Sequence, residues 1–219
     1  MRYVILVLLI IVSVVHLGGR LIPERIRRIP TKPFLLIFIL LYYLFSTKNY
    51  SGLLIAALAT SWLGDVLLMK QGDKWFTAGG ISFMAAHFFF IGVYAFNIDF
   101  HSINFAVVIP ASVAYFTVSA LVMRSIKDNT PKPMVIPMLF YLCCNSAMNV
   151  FALIQLETVR SLGAAVAFTG AVLFFISDCT LFLVRYHKNK NIVFKQHFTV
   201  MLTYILGEFL ITQGVLMIG

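Results

Sequence analysis

The chain has 219 residues, of which 61% are apolar and only 11% are Asp, Glu, Lys or Arg, with a formal net charge of +9. Soluble domains carry about 25% charged and about 45–50% apolar residues. This composition therefore excludes a water-soluble enzyme with one core, and 13 Gly, 7 Pro and 3 Cys exclude a disordered chain, a collagen-like fibre and a disulfide scaffold.

An integral membrane protein remains, all-α and polytopic, with residues 1–219 forming a single helical domain. Apolar runs bounded by charge or Pro predict about eight transmembrane helices, at 3–19, 32–46, 50–69, 76–97, 103–123, 134–155, 161–184 and 197–218. Arg2 ahead of the first run suggests a signal peptide, but Leu17-Gly18-Gly19-Arg20-Leu21-Ile22-Pro23 offers no small-residue cleavage site, so the run is read as a span. The second run is short for a full crossing and is expected to be drawn into the bundle or extended by its flanks.

Charge sets the expected topology. Fourteen of the 17 Lys and Arg fall in loops one, three, five and seven, leaving Arg2, Lys48 and Arg160 for the termini and the even loops. Short basic loops stay in the cytoplasm, so both termini are expected outside, in a membrane read as a bacterial inner membrane. The cluster Arg20, Arg25, Arg27, Arg28, Lys32 is read as a topology signal. Topology and membrane lipid account for the positive charge, and no nucleic-acid partner is implied. Oligomeric state is open.

Three carboxylic acids interrupt the predicted spans: Asp65, Asp178 and Glu208. An Asp at a helix centre costs about 2.5–3.5 kcal/mol on the insertion scale, so such a group marks a functional site by default. Asp65 lies just before Met69-Lys70 and Asp178 seven residues before Arg185, which sets both in the inner half at similar depth. The plainer alternative is ion pairing with Lys70 or Arg185. Gly64-Asp65-Val66-Leu67-Leu68 is matched by Ser177-Asp178-Cys179-Thr180-Leu181, and Lys32-Pro33 by Lys132-Pro133. These pairs suggest a 4+4 parallel pseudo-repeat that carries the two aspartates toward a common centre.

Other polar residues recur at helical spacing: Tyr141, Asn145 and Asn149 on span six, Tyr204, Glu208 and Thr212 on span eight, His87 and Tyr94 on span four, and Ser61 one turn before Asp65. Helix-to-helix hydrogen bonding accounts for Asn149, Thr212 and Ser61. Tyr141, Asn145, His87 and Glu208 equally suit a cavity wall. Only His87 among the histidines is deep, so no metal site is expected, and Cys143, Cys144 and Cys179 read as small buried residues.

These residues resemble the YhhN-type lysoplasmalogenases, small eight-helix membrane proteins. The likeness rests on Lys32-Pro33, Gly64-Asp65-Val66-Leu67-Leu68, Phe83-Met84-Ala85-Ala86-His87 and the run Gly170–Asp178, in order and on the matching helices, with Tyr141 and Asn145 as further polar positions. Spans one, five and eight carry no motif of the family. The resemblance implies hydrolysis of the vinyl ether bond of lysoplasmalogens to a fatty aldehyde and glycerophosphoethanolamine or glycerophosphocholine, with no cofactor. Such a reaction needs one carboxylic acid to protonate the outer alkene carbon and a second, ionised carboxylate to stabilise the resulting oxocarbenium ion. A cavity of low dielectric favours the neutral acid, and two close carboxyls divide the roles between them. Asp65 and Asp178 are the expected pair, with no assignment between them. His87, Tyr141 and Asn145 are candidates for holding water or the glycerol hydroxyl, and Lys32 for neutralising the phosphate of a lysophospholipid substrate. The rival reading is a small proton- or ion-coupled transporter, with broken helices at Gly79-Gly80 or Pro110 and the paired acids on the ion path.

Overall fold

The computed structural model describes residues 1–21 and 31–219. The side chains of Arg20, Arg25, Arg27 and Arg28, most of the expected basic cluster, lie outside what is described. Among the described residues the secondary structure is helical, with α1 Arg2–Leu21, α2 Lys32–Leu44, α3 Gly52–Leu68, α4 Asp73–Ala95, α5 Phe105–Ile126, α6 Lys132–Val159, α7 Leu162–Tyr186 and α8 His197–Ile218. A 3-10 turn at Lys127–Asn129 joins α5 to α6.

Local sequence explains most boundaries. Pro33 and Pro133 open α2 and α6 where a helix needs no backbone donor. Ser51, Asn104 and Ser161 cap α3, α5 and α7 by accepting from the backbone N–H of Leu54, Ala106 and Ala164. Gly72, at φ +109°, makes the turn that starts α4. Helices α4 and α5 run without interruption through Gly79-Gly80 and Pro110, so the breaks that a transporter would use are not formed there.

Among the described residues six helices are long and apolar enough to cross a membrane, and the chain is an integral membrane protein. Helices α2 and α3 are shorter, at 13 and 17 residues. A rise of 1.5 Å per residue makes them about 20 and 26 Å long, against about 30 Å of hydrocarbon. The expected span at 50–69 is thus trimmed by the Ser51 cap, and α2 is drawn into the bundle, with Leu35, Leu36, Ile39 and Tyr43 all buried.

The most extensive helix contacts join α7 to α8 and α3 to α4. Glycine makes the first possible: a Cβ on Gly170 would stand 2.7 Å from the Gly207 carbonyl oxygen, and one on Gly163 would stand 2.9 Å from that of Gly214. Lipid provides no hydrophobic drive between helices, so close backbone approach through small residues supplies the packing. Cross-links between α2 and α3, α4 and α7, and α6 and α7 (Lys32–Asp65, Asp73–Arg185, Met134–Tyr186) gather the ends that flank loops one, three, five and seven on one side of the bundle. A Tyr42–Gln213 hydrogen bond joins α2 and α8 at the opposite side. Phe90, Leu142, Met148 and Phe174 fill the centre, while Phe96, Ile136 and Leu162 point outward, as suits a protein whose solvent is lipid.

Candidate active site

Asp65 lies near the end of α3 and is 1% exposed. Lys32, the first residue of α2, sets its Nζ 2.9 Å from Oδ1, and the Tyr204 hydroxyl on α8 donates to Oδ2 at 2.9 Å. The shortness of α2 makes this possible: its first turn begins inside the bundle, at the depth of the last turn of α3. The ammonium that was expected to meet a lipid phosphate is therefore engaged by Asp65. Lys70, the other cation considered for Asp65, instead lies 3.8 Å from the Trp75 ring centroid.

Asp178, on α7, is 5% exposed. Its neighbours are a phenol, an amide and an imidazole. The Tyr141 hydroxyl and the Asn145 amide, one turn apart on α6, each donate to Oδ2 at 2.7 Å. Asn145 is itself oriented by Asn149, whose amide donates to its side-chain oxygen at 3.0 Å. His87 Nε2, on α4, approaches the same Oδ2 to 3.4 Å. All these contacts end on Oδ2. Arg185 pairs with Asp73, not with Asp178.

Each aspartate thus draws on the helix before its own and on one further helix: α2 and α8 for Asp65, α6 and α4 for Asp178. Between the two lies an aromatic wall. The Phe174 ring, one turn before Asp178, stands 5.2 Å from His87 and 5.6 Å from Tyr204, and Phe83 stands 5.8 Å from Tyr204. Gly64 admits that wall, since a Cβ there would come within 2.6 Å of the Phe83 ring. At the matching position before Asp178, the Ser177 hydroxyl donates to the Val200 carbonyl of α8. The Gly-Asp and Ser-Asp motifs are both places where a neighbouring helix comes close.

All six expected site residues, Lys32, Asp65, His87, Tyr141, Asn145 and Asp178, contact one of the two carboxyl groups or are one of them. Tyr204 joins them without having been singled out for the site; its only sequence signal was the polar stripe on α8. Glu208, next on that stripe, is fully buried, and neither of its oxygens makes a hydrogen bond of regular geometry. Cys143, Cys144 and Cys179 are unpaired. Among the described residues, no three His, Cys, Asp or Glu side chains converge as metal ligands.

A cavity of about 640 Å³ opens between α4 and α6. Its inner wall includes Tyr141 and Phe83, its lipid-facing rim Ile81 and Phe140, and its far end Asp73 and Lys74. Apart from Thr77 the rest of the lining is apolar, and the volume falls in the range of ligand pockets.

The YhhN family model matches residues 27–215, and the chain belongs to that family. No curated protein and no solved structure matches it.

Proposed function

We propose that this YhhN-family chain is a membrane hydrolase that cleaves the vinyl ether bond of lysoplasmalogens, releasing a fatty aldehyde and glycerophosphoethanolamine or glycerophosphocholine. The observation that carries the reading is the unequal environment of two buried carboxyl groups, one of which, Asp178, is hydrogen-bonded to Tyr141 of an apolar cavity wall. Asp65 faces a lysine ammonium, which suits an ionised carboxylate, whereas Asp178 takes hydrogen bonds from the Tyr141 hydroxyl and the Asn145 amide, with the His87 ring beyond them, on a single oxygen. That is the division of labour an acid-assisted water addition needs.

In this mechanism Asp178 is the acid. Its proton moves to the outer alkene carbon, where the C=C electron pair forms the new C–H bond and leaves an oxocarbenium ion. The faces of the aromatic wall stabilise that cation directly, and the Asp65 carboxylate contributes from the other side of the wall at longer range. Water, oriented by His87, adds to the cationic carbon and yields its proton to the Asp178 carboxylate, which restores the acid. The hemiacetal then breaks its bond to the glycerol oxygen, with its hydroxyl proton passing to that oxygen. Tyr141 and Asn145 hold Asp178 in place, and the hydrocarbon chain occupies the α4–α6 cavity, which it reaches between Ile81 and Phe140 from the bilayer.

The packing also supports a 4+4 parallel duplication. Adding four to each helix number turns the pairs α1–α2, α2–α3 and α3–α4 into α5–α6, α6–α7 and α7–α8, and turns α2–α8 into α6–α4; all of these pairs make contact. With basic loops inside, the site faces the inner leaflet of a bacterial cell membrane and the termini lie outside. Transport has less support, because α3 and α7, which carry the acids, are unbroken.

The deciding experiment supplies lysoplasmenylethanolamine to the purified protein and assays fatty aldehyde. Release by the wild type supports the hydrolase. No release, together with uptake of a solute into vesicles, overturns it in favour of a transporter.

A further inference from the structure

One end of the α4–α6 cavity carries charges that the mechanism leaves unused. Asp73 and Lys74, on the first turn of α4, line it. Arg185, on the last turn of α7, reaches across with Nη2 3.3 Å from Asp73 Oδ1, the two side chains being 37% and 59% exposed. The guanidinium is held in place from other directions too. It lies 4.0 Å from the centroid of Phe76, another cavity residue, and its Nε donates to the Tyr186 hydroxyl at 3.0 Å. Tyr186 in turn contacts Met134 of the cavity wall through a 3.6 Å hydroxyl–sulfur interaction. A braced arginine beside the Asp73–Lys74 end of an apolar cavity, held against two of its lining residues, has the chemistry of an anion subsite: guanidinium forks suit phosphate as well as carboxylate.

Spacing ties this subsite to the reacting centre. Arg185 follows Asp178 by seven residues, two turns along one face of α7, which places their backbones about 10 Å apart. In a lysoplasmalogen six bonds separate the vinyl carbon that water attacks from the phosphorus. At about 3.6 Å for every three bonds of an extended chain, that is about 7 Å. Adding about 3 Å for a hydrogen bond to the phosphate oxygen closes the gap. With the vinyl ether at Asp178, the phosphate falls within reach of the Arg185 side chain, while Lys32 stays with Asp65.

Resting on the hydrolase reading for its substrate class, we propose that Arg185, assisted by Lys74, binds the phosphate of a single-chain phospholipid at the Asp73–Lys74 end of the α4–α6 cavity, and that Asp73 occupies the guanidinium until the lipid displaces it.

The test separates binding from turnover. Palmitoyl lysophosphatidylethanolamine, whose ester is not a vinyl ether, and monopalmitoylglycerol, which lacks the phosphate, are titrated into full-length wild type, Arg185→Gln, Arg185→Lys and Asp73→Asn in detergent micelles. Wild type is expected to prefer the phosphate-bearing lipid by about tenfold or more, the scale of a charge-assisted hydrogen bond. Arg185→Gln abolishes that preference without weakening monopalmitoylglycerol, Arg185→Lys keeps part of it, and Asp73→Asn strengthens lysophospholipid binding. Diacylphosphatidylethanolamine and inorganic phosphate are expected to compete poorly, since one overfills the cavity and the other leaves it empty. Arg185→Gln that weakens both lipids equally, or neither, overturns the subsite. If Arg185→Gln does not fold, an Asp73→Asn variant with unchanged affinity overturns it instead. Arg185-dependent binding with no aldehyde release by the wild type keeps the subsite and removes the hydrolase; aldehyde release with Arg185-independent binding does the reverse.

Discussion

Lys32 and Asp65 form an ion pair of 2.9 Å between the first residue of α2 and the last turn of α3, with the lysine side chain 17% and the aspartate 1% exposed. Breaking a buried pair from one side leaves a charge without compensation, at a cost of about 3–5 kcal/mol, whereas removing both partners costs far less. Lys32→Met is expected to lower the melting temperature sharply. The double variant Lys32→Met with Asp65→Asn should recover most of the loss. Thermal unfolding of the three proteins in the same detergent checks the coupling.

Asp65→Asn and Asp178→Asn keep side-chain volume while removing the acid and the carboxylate. Each is expected to reduce aldehyde release by about 10²–10⁴-fold, the range for general acid–base groups. Tyr141→Phe, which removes one of two donors to Asp178, should cost less than either. Initial rates per folded protein, measured below the melting temperature of each variant, decide the order, and a Tyr141→Phe loss larger than that of Asp178→Asn would contradict it.

Gly170 and Gly80 predict opposite outcomes. A Cβ at Gly170 would meet the Ile211 backbone nitrogen at 2.6 Å, whereas one at Gly80 meets nothing within 4 Å. Gly170→Val should force α7 from α8 and reduce the yield of folded protein. Gly80→Ala should be tolerated, gaining up to about 1 kcal/mol of helix propensity. Size-exclusion profiles and melting temperatures distinguish the two.

Thr77, on α4, lines the cavity assigned to the hydrocarbon chain. Thr77→Trp would fill part of that volume. It is expected to raise KM for long-chain lysoplasmalogens and to leave short-chain substrates nearly unaffected. A uniform change in KM across chain lengths would place the chain elsewhere.

Glu208 is fully buried, and its nearest polar partner is the Ser61 hydroxyl of α3. Glu208→Gln keeps its shape and removes its ionisable group. The expected result is an equal or higher melting temperature with aldehyde release within a few-fold of wild type. A loss as large as that of Asp178→Asn would make Glu208 part of the chemistry.

The existence and order of the helices are legible in the chain because the bilayer interior tolerates only backbone that satisfies itself, so each span must appear as an apolar run of set length. The same penalty makes Asp65 and Asp178 conspicuous. Matching depth follows from counting residues to the flanking cations. Boundaries are less legible where a cap intervenes, as at Ser51, or where a helix turns inward early, as α2 does.

The partners of the two acids were decided by tertiary packing. Lys70 and Arg185 are near Asp65 and Asp178 along the chain, yet the groups that reach the carboxyls are Lys32 and Tyr204 for one, and Tyr141, Asn145 and His87 for the other. Tyr204 is 139 residues from Asp65, so no local pattern could couple them. Hydropathy is a property of each segment alone and is readable in one dimension. Which side chain faces a buried charge depends on helix length, rotation and close approach, here set by a 13-residue α2 and by the glycines between α7 and α8.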